Sequence, residues 1–275
     1  MIPPIPAIPT APDGARSAGP VSLRYEDVQQ EGRLTLVGLP HALGELGWPS
    51  FMAHPHGPAL RDQGIVPILS RMMLAVGEGP VSAIRPLQGE ACWHRAAVLG
   101  PDGAPARRQR MMWVDLYARS GWTLGPVDPD APRILAGRVY AEHTYTRLFA
   151  DPSARRVTAL DDWSPAQTWP ERRPDEVAPP VEGAPSHRVP FSFGVLHTDP
   201  NNHVNSLVYP RIFEEAALAL RGRTDAARRM EVVWRKPFFA GETTTVHQWL
   251  GPDDTVHGAF LDEGGRARAR MSLGW

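Results

Sequence analysis

The chain is 275 residues long, 42% hydrophobic and 21% charged, with a formal net charge of −1. This is the composition of a globular protein of one large or two ordinary domains, and so small a charge excludes an overall field able to hold a polyanion such as nucleic acid. One cysteine, Cys92, excludes an internal disulfide and fits a reducing, cytoplasmic setting, and no run of about eighteen apolar residues marks a membrane span.

Residues 1–20, MIPPIPAIPTAPDGARSAGP, are apolar but broken by proline and lack a basic start. They read as an extended, Pro-rich tail rather than a signal peptide. A first unit follows over 21–160. It is predicted to hold a strand in VSLRYEDVQQEGRLTLVGL, a helix in PALRDQGIVPILSRMMLA, and strands around 81–99 and 107–118. His54 and His56 form an H-x-H spacing in a Pro/Gly loop, and as a lone pair they predict no metal. Cys92 lies in the strand-like run GEACWHRAAV and reads as a small buried hydrophobe. Arg107, Arg108 and Arg110 read as a solvated strand or turn face.

Residues 161–187 are thick with proline and charge, so they form neither a long helix nor a central strand and read as a linker. The second unit, 188–275, repeats features of the first. Gly89-Glu90 recurs as Gly241-Glu242, and Gly100-Pro101-Asp102 as Gly251-Pro252-Asp253, at offsets of 152 and 151 residues. Ordered matches at one offset point to duplication. The second unit is predicted as a strand in HRVPFSFGVL, a helix from Ser206 as N-cap to Gly222 as stop, then an antiparallel meander. Its last strand alternates strictly, with Arg266, Arg268, Arg270 and Ser272 opposite Ala267, Ala269, Met271 and Leu273. One apolar sheet face and one amphipathic helix imply that the helix covers the sheet.

Immediately before that helix, HTDPNNHVNS crowds Asp199, Asn201, Asn202, His203 and Asn205 together. A helix N-terminus presents free N–H groups and a positive dipole end. Those groups can polarise a carbonyl and bind an oxyanion. An ionised Asp199 could attack or deprotonate water, with His203 and the asparagines orienting it. A polar loop that merely caps the helix is the alternative. On a helical wheel, Glu215 falls near the edge of the apolar face and Glu214 on the opposite side.

The stretch TDPNNHVNSLVYPRIFEEA resembles the signature of hotdog-fold acyl thioesterases. The acyl-CoA branch pattern falls on Thr198, Asp199, His203, Val204, Asn205, Tyr209, Phe213, Glu214, Glu215 and Ala216; the acyl-ACP branch pattern D-x-N-x-H-V-N falls on Asp199, Asn201, His203, Val204 and Asn205. Ser206 departs from the usual second Asn. The resemblance implies an α+β fold of two tandem hotdog units, each an antiparallel sheet wrapped around one central helix, with the first unit degenerate. It implies a thioesterase that hydrolyses acyl-CoA or acyl-ACP to free acid and thiol, without cofactor. Asp199, Asn201, His203 and Glu215 would be catalytic, and Asn205, Ser206 and Tyr209 substrate-binding. The implied partner is the acyl thioester on CoA or acyl carrier protein, and the chain could form a homo-oligomer. On that reading the Arg107–Arg110 stretch could also meet an acidic carrier or CoA phosphates. Rival readings are a hotdog dehydratase or hydratase, whose His stands five after Asp rather than four, and a non-catalytic thioester-binding protein. An offset of 151 places the first unit's counterpart of Asp199 near Trp48, where no such motif stands.

Overall fold

The structure is a computed structural model that describes residues 2–8, 15–119, 128–160, 167–170, 184–251 and 253–275. The predicted linker therefore lies largely outside the described residues. The chain divides into an N-terminal unit, Ile5–Met72 with Val76–Arg172, and a C-terminal unit, Arg173–Trp275 with Met1–Pro4 and Met73–Ala75.

In the N-terminal unit the strands are β1 (Ala15–Val21), β2 (Val66–Val76), β3 (Leu87–Leu99), β4 (Pro105–Arg119), β5 (Arg133–Thr146) and β6 (Gln167–Pro170). They lie in the order β1-β3-β4-β5-β2, with β6 running parallel to the end of β3. β1 pairs antiparallel with β3, so the extended N-terminal segment joins the sheet from residue 15 onward rather than remaining a tail to residue 20. β4 is buried without a break from Gln109 to Leu116, as befits a strand covered on both faces. Its buried Asp115 is held by both prongs of Arg138, each at 2.5 Å.

The helices of this unit begin upstream of the predicted one and overlap only its start. A π-helical turn (Leu43–Gly47) runs into α1 (Trp48–Ala53), followed by α2 (His56–Asp62). Leu43, Leu46, Gly47 and Phe51 form its buried side. The predicted helix over 58–75 fails for a local reason. Gly64 takes φ +66° and ends α2, Pro67 withholds the N–H that a continuing helix needs, and the rest is strand β2. The predicted strand over 21–39 is instead a 3₁₀ turn (Tyr25–Asp27) and a loop closed by a Val28–Leu34 bridge.

In the C-terminal unit the elements are β7 (His187–Ser192), α3 (Val208–Arg221), β8 (Arg229–Trp234), β9 (Thr243–Leu250), β10 (Val256–Leu261) and β11 (Ala267–Gly274). All pairings are antiparallel and the order is β7-β9-β10-β11-β8. Taken in chain order, both units arrange their first five strands as first, third, fourth, fifth, second. The Gly-Glu and Gly-Pro-Asp repeats fall at the start and end of β3 in one unit and of β9 in the other.

α3 is amphipathic and buries Tyr209, Pro210, Phe213, Ala216 and Ala217 against the sheet. Pro210 sits in its first turn, where no donor is lost, and Gly222 ends it at φ 64°. Gln248 on β9 donates to the Phe213 carbonyl at 2.8 Å, tying α3 to the strand. Gly258 on β10 lets the helix come this close: a Cβ there would stand 2.5 Å from the Phe213 ring and 2.3 Å from the His247 carbonyl oxygen. Among the described residues no helix is long and apolar enough to cross a membrane.

Gly258→Ala is therefore expected to destabilise the protein by about 1–3 kcal/mol, because backbone and ring must both shift. A urea unfolding midpoint equal to that of the wild type would contradict this packing.

Candidate active site

The polar residues of the C-terminal unit occupy a loop built almost wholly by backbone bonds. A 3₁₀ turn (Val195–His197) leads into Thr198, which bridges to Val204. Within the loop the Asp199 N–H donates to the His203 carbonyl at 2.9 Å, and the Asn202 N–H donates to the Asp199 carbonyl at 2.9 Å. The Val204 N–H reaches the Phe238 carbonyl and the Asn205 N–H the His197 carbonyl, both at 2.8 Å. Asn202 takes the left-handed conformation, φ 61°, which the turn demands and Asn tolerates.

Side chains add less. Asp199 Oδ1 accepts the Asn201 N–H at 2.9 Å, and Asn205 Oδ1 accepts the Leu207 N–H at 2.8 Å. The helix begins at Val208 with no side-chain cap, so Asn205, not Ser206, closes the approach. Asn205's own N–H is taken by His197, which leaves the Ser206 N–H without an acceptor among the described residues. Asp199, His203, Asn205 and Ser206 are half-buried, and Asn201 is exposed. The His203 ring meets Phe239 edge-on at 5.2 Å. Val195 and Leu196 stand beside them, 78% and 99% exposed.

The N-terminal unit contains the same loop, 170 residues earlier. Val28 bridges to Leu34 as Thr198 bridges to Val204. Gln29 N–H donates to the Arg33 carbonyl at 2.8 Å, Gly32 N–H to Gln29 at 2.9 Å, and Thr35 N–H to Asp27 at 2.8 Å. Gly32 takes φ 73° where Asn202 takes 61°, and Thr35 Oγ1 accepts the Gly38 N–H much as Asn205 accepts that of Leu207. The counterpart of Asp199 is thus Gln29, not a residue near Trp48. An offset taken from the β-hairpins fails because the helical segments between loop and sheet differ in length.

The comparison separates scaffold from surplus. Asn202 has a left-handed counterpart in Gly32, and Asn205 has an accepting counterpart in Thr35, which reaches the N–H three residues on instead of two. Asp199, Asn201 and His203 correspond to Gln29, Glu31 and Arg33, and the loop closes with either set.

Two other expected site residues are placed differently. Tyr209 is 1% exposed and its hydroxyl accepts the Phe238 N–H at 3.2 Å, so it braces the core beneath the loop instead of facing a substrate. Glu215 is exposed on α3, and Glu214 is the half-buried glutamate, reversing the wheel. The wheel assumed a cover on one side only, whereas the segment before β8 also packs on α3, where the Ala227 N–H donates to Glu214 at 3.3 Å. In the N-terminal unit, Cys92 is buried with Sγ 3.1 Å from His94 Nε2, and Arg110 is fully buried rather than solvated. Among the described residues no group of three or more His, Cys, Asp or Glu could hold a metal ion.

No protein-family model matches the chain, and no curated protein sequence does. Solved structures do. An acyl-ACP thioesterase from Bacteroides thetaiotaomicron aligns over 94% of this chain and 96% of its own, at TM-score 0.65 and 17% identity. The 12:0-ACP thioesterase from Umbellularia californica aligns over 95% and 96%, at TM-score 0.61 and 14% identity. A MaoC-like dehydratase from Phytophthora capsici aligns over 96% of both chains, at TM-score 0.59 and 11% identity. At such identities the likeness establishes the fold, which is that of hotdog proteins.

Burial raises the Glu214 carboxyl to about 7; the Ala227 N–H opposes this and the neighbouring Glu215 charge adds to it. A carboxyl near 4.5 when unfolded and near 7 when folded stabilises the fold while protonated, and that contribution is lost as pH rises through about 7. Glu214→Gln, which keeps an acceptor for Ala227, is expected to gain about 1–3 kcal/mol over wild type at pH 8 and almost nothing at pH 4.5. Equal stability differences at both pH values would contradict this placement.

Proposed function

We propose that this chain is a double-hotdog thioesterase that hydrolyses an acyl thioester, on CoA or on acyl carrier protein, with one active site per chain, in the C-terminal unit. The observation that carries this reading is the twice-built loop. Its backbone network persists with Gln29, Glu31 and Arg33, so Asp199, Asn201 and His203 are not required to close it. A side-chain set that architecture does not require, at the approach to a helix, is most economically explained by chemistry.

In the proposed reaction the thioester carbonyl oxygen lies against the Ser206 N–H, which stabilises the charge that develops there. Asp199 acts as nucleophile or as the base that deprotonates water, and His203 and Asn201 orient water and substrate. The carbonyl carbon gains an oxygen from water, its bond to sulfur breaks, and the thiolate takes up the proton. Asn205 holds the approach to the helix. Glu215, exposed, has no part, and Tyr209 supports the loop from below. Exposed Val195 and Leu196 offer apolar surface to the acyl chain or its carrier.

The likeness to a MaoC-like dehydratase favours one second reading, hydration of an enoyl thioester. Both are measured in one assay with decanoyl-CoA and decenoyl-CoA. Release of free thiol supports hydrolysis; loss of the enoyl absorbance without thiol supports hydration. Asp199→Asn and His203→Ala are each expected to lower kcat/KM by about 10²–10⁴-fold. Gln29→Asn, at the equivalent place in the other loop, should leave the rate unchanged. Normal turnover in both C-terminal variants would overturn the assignment.

A further inference from the structure

On β4 of the N-terminal unit, Arg110 is 0% exposed. Its guanidinium lies 4.2 Å from the Trp48 ring centre and 3.8 Å from that of Phe51. None of its three nitrogens has a hydrogen-bond partner among the described residues. A guanidinium carries five N–H donors, and contact with aromatic faces leaves those donors unanswered. Leaving one buried and unpaired is among the costlier arrangements a protein can hold.

Arg110's cross-strand neighbours are Arg95 on β3 and His143 on β5. His143 Nδ1 and Trp93 Nε1 are also buried without a partner among the described residues. The His56 ring stacks on Trp93 at 6.4 Å and lies 6.2 Å from the Tyr145 ring, and the His54 ring lies 5.0 Å from Trp93. The two histidines of the H-x-H pair thus wall an aromatic cage. Burial lowers Arg110 to about 10, and burial with neighbouring cations lowers His56 to about 4 and His143 well below its usual range. Among the described residues no carboxylate is one of the charges acting on Arg110 or His143. The cage therefore holds the Arg110 charge beside neutral imidazoles and N–H donors unpartnered among the described residues. The π-helical turn just before Trp48 is a distortion often found beside functional sites.

We propose that this cage is a binding site for an organic carboxylate with an apolar or aromatic body. A carboxylate is planar, only accepts, and matches the guanidinium fork with two parallel bonds. The faces of Trp48, Phe51 and Trp93 suit a hydrocarbon or ring and offer nothing to a hydrated phosphate. The ligand reaches Arg110 past the joint between α1 and α2, two helices of six and seven residues, where Met52, Ala53, His54 and Pro55 are exposed. The carboxylate belongs either to a free acid or to the far end of an acyl thioester. The proposal stands apart from the hydrolase reading, because its test reads binding and not turnover.

The full-length protein would be titrated with decanoate, decanol, decanoyl-CoA and the CoA half-thioester of sebacic acid, following melting temperature and tryptophan fluorescence. A shift with decanoate but not decanol supports the site and a free acid as its ligand. A shift with the half-thioester beyond that of decanoyl-CoA supports the site and a terminal carboxylate. Arg110→Met should abolish either response yet melt no lower than ligand-free wild type, since an apolar side chain replaces an unpaired buried charge. Arg110→Lys, which keeps charge but loses the fork, should bind at least about ten-fold more weakly. No response to either carboxylate overturns the proposal, as does an undiminished response in Arg110→Met. Loss of folding in Arg110→Met also overturns it, because the guanidinium would then already hold an internal partner.

Discussion

The loop from Thr198 to Val204 holds its shape through main-chain hydrogen bonds, and the functional account rests on that fact. Backbone groups within it donate and accept at 2.9 Å, its ends bridge, and the Phe238 carbonyl ties it to the chain before β9. A loop satisfied by its own main chain makes few demands on side-chain identity beyond a left-handed residue at one position and a short acceptor at another. Those demands are met by Asn202 and Asn205 in one unit and by Gly32 and Thr35 in the other. The remaining positions are free to carry chemistry. The C-terminal unit fills them with Asp199, Asn201 and His203, and the N-terminal unit with Gln29, Glu31 and Arg33.

The two units share a strand order but settle the space between helix and sheet differently. In the C-terminal unit a glycine on β10 admits Phe213 directly onto the strand, and an aromatic core of Phe193, Tyr209, Phe238 and Phe260 fills the rest. In the N-terminal unit an arginine on β4 rises between the rings of Trp48 and Phe51. A tightly closed core beneath the polar loop gives Asp199 and His203 a firm support. In the other unit the buried guanidinium without a hydrogen-bond partner among the described residues costs stability.

Much of the C-terminal unit was legible in the sequence. The strict alternation of 266–273, the Pro210 and Gly222 positions and the apolar stripe of α3 each follow from one local rule, and neighbouring segments agree with it. The N-terminal unit was harder to read. PALRDQGIVPILSRMMLA has apolar spacing that suits a helix, yet one positive-φ glycine and one proline divide it between a short helix and a strand. The true helix was masked by its π-helical turn, which breaks the 3.6-residue period. The polar loop was found by residue type, but its twin was not, because backbone geometry survives where the side chains that advertise it have gone. Arg110 was misread because a basic run on a strand looks solvated unless the cover on both faces is known.

The most direct test exchanges the surplus residues between the loops. A variant carrying Asp199→Gln, Asn201→Glu and His203→Arg, the set found in the N-terminal loop, would be compared with wild type for melting temperature and for thiol release from decanoyl-CoA. The account predicts a melting temperature within about 5 °C of wild type and no thiol release above background. Collapse of the fold, which would make the polar set structural, or thiol release at the wild-type rate would contradict it.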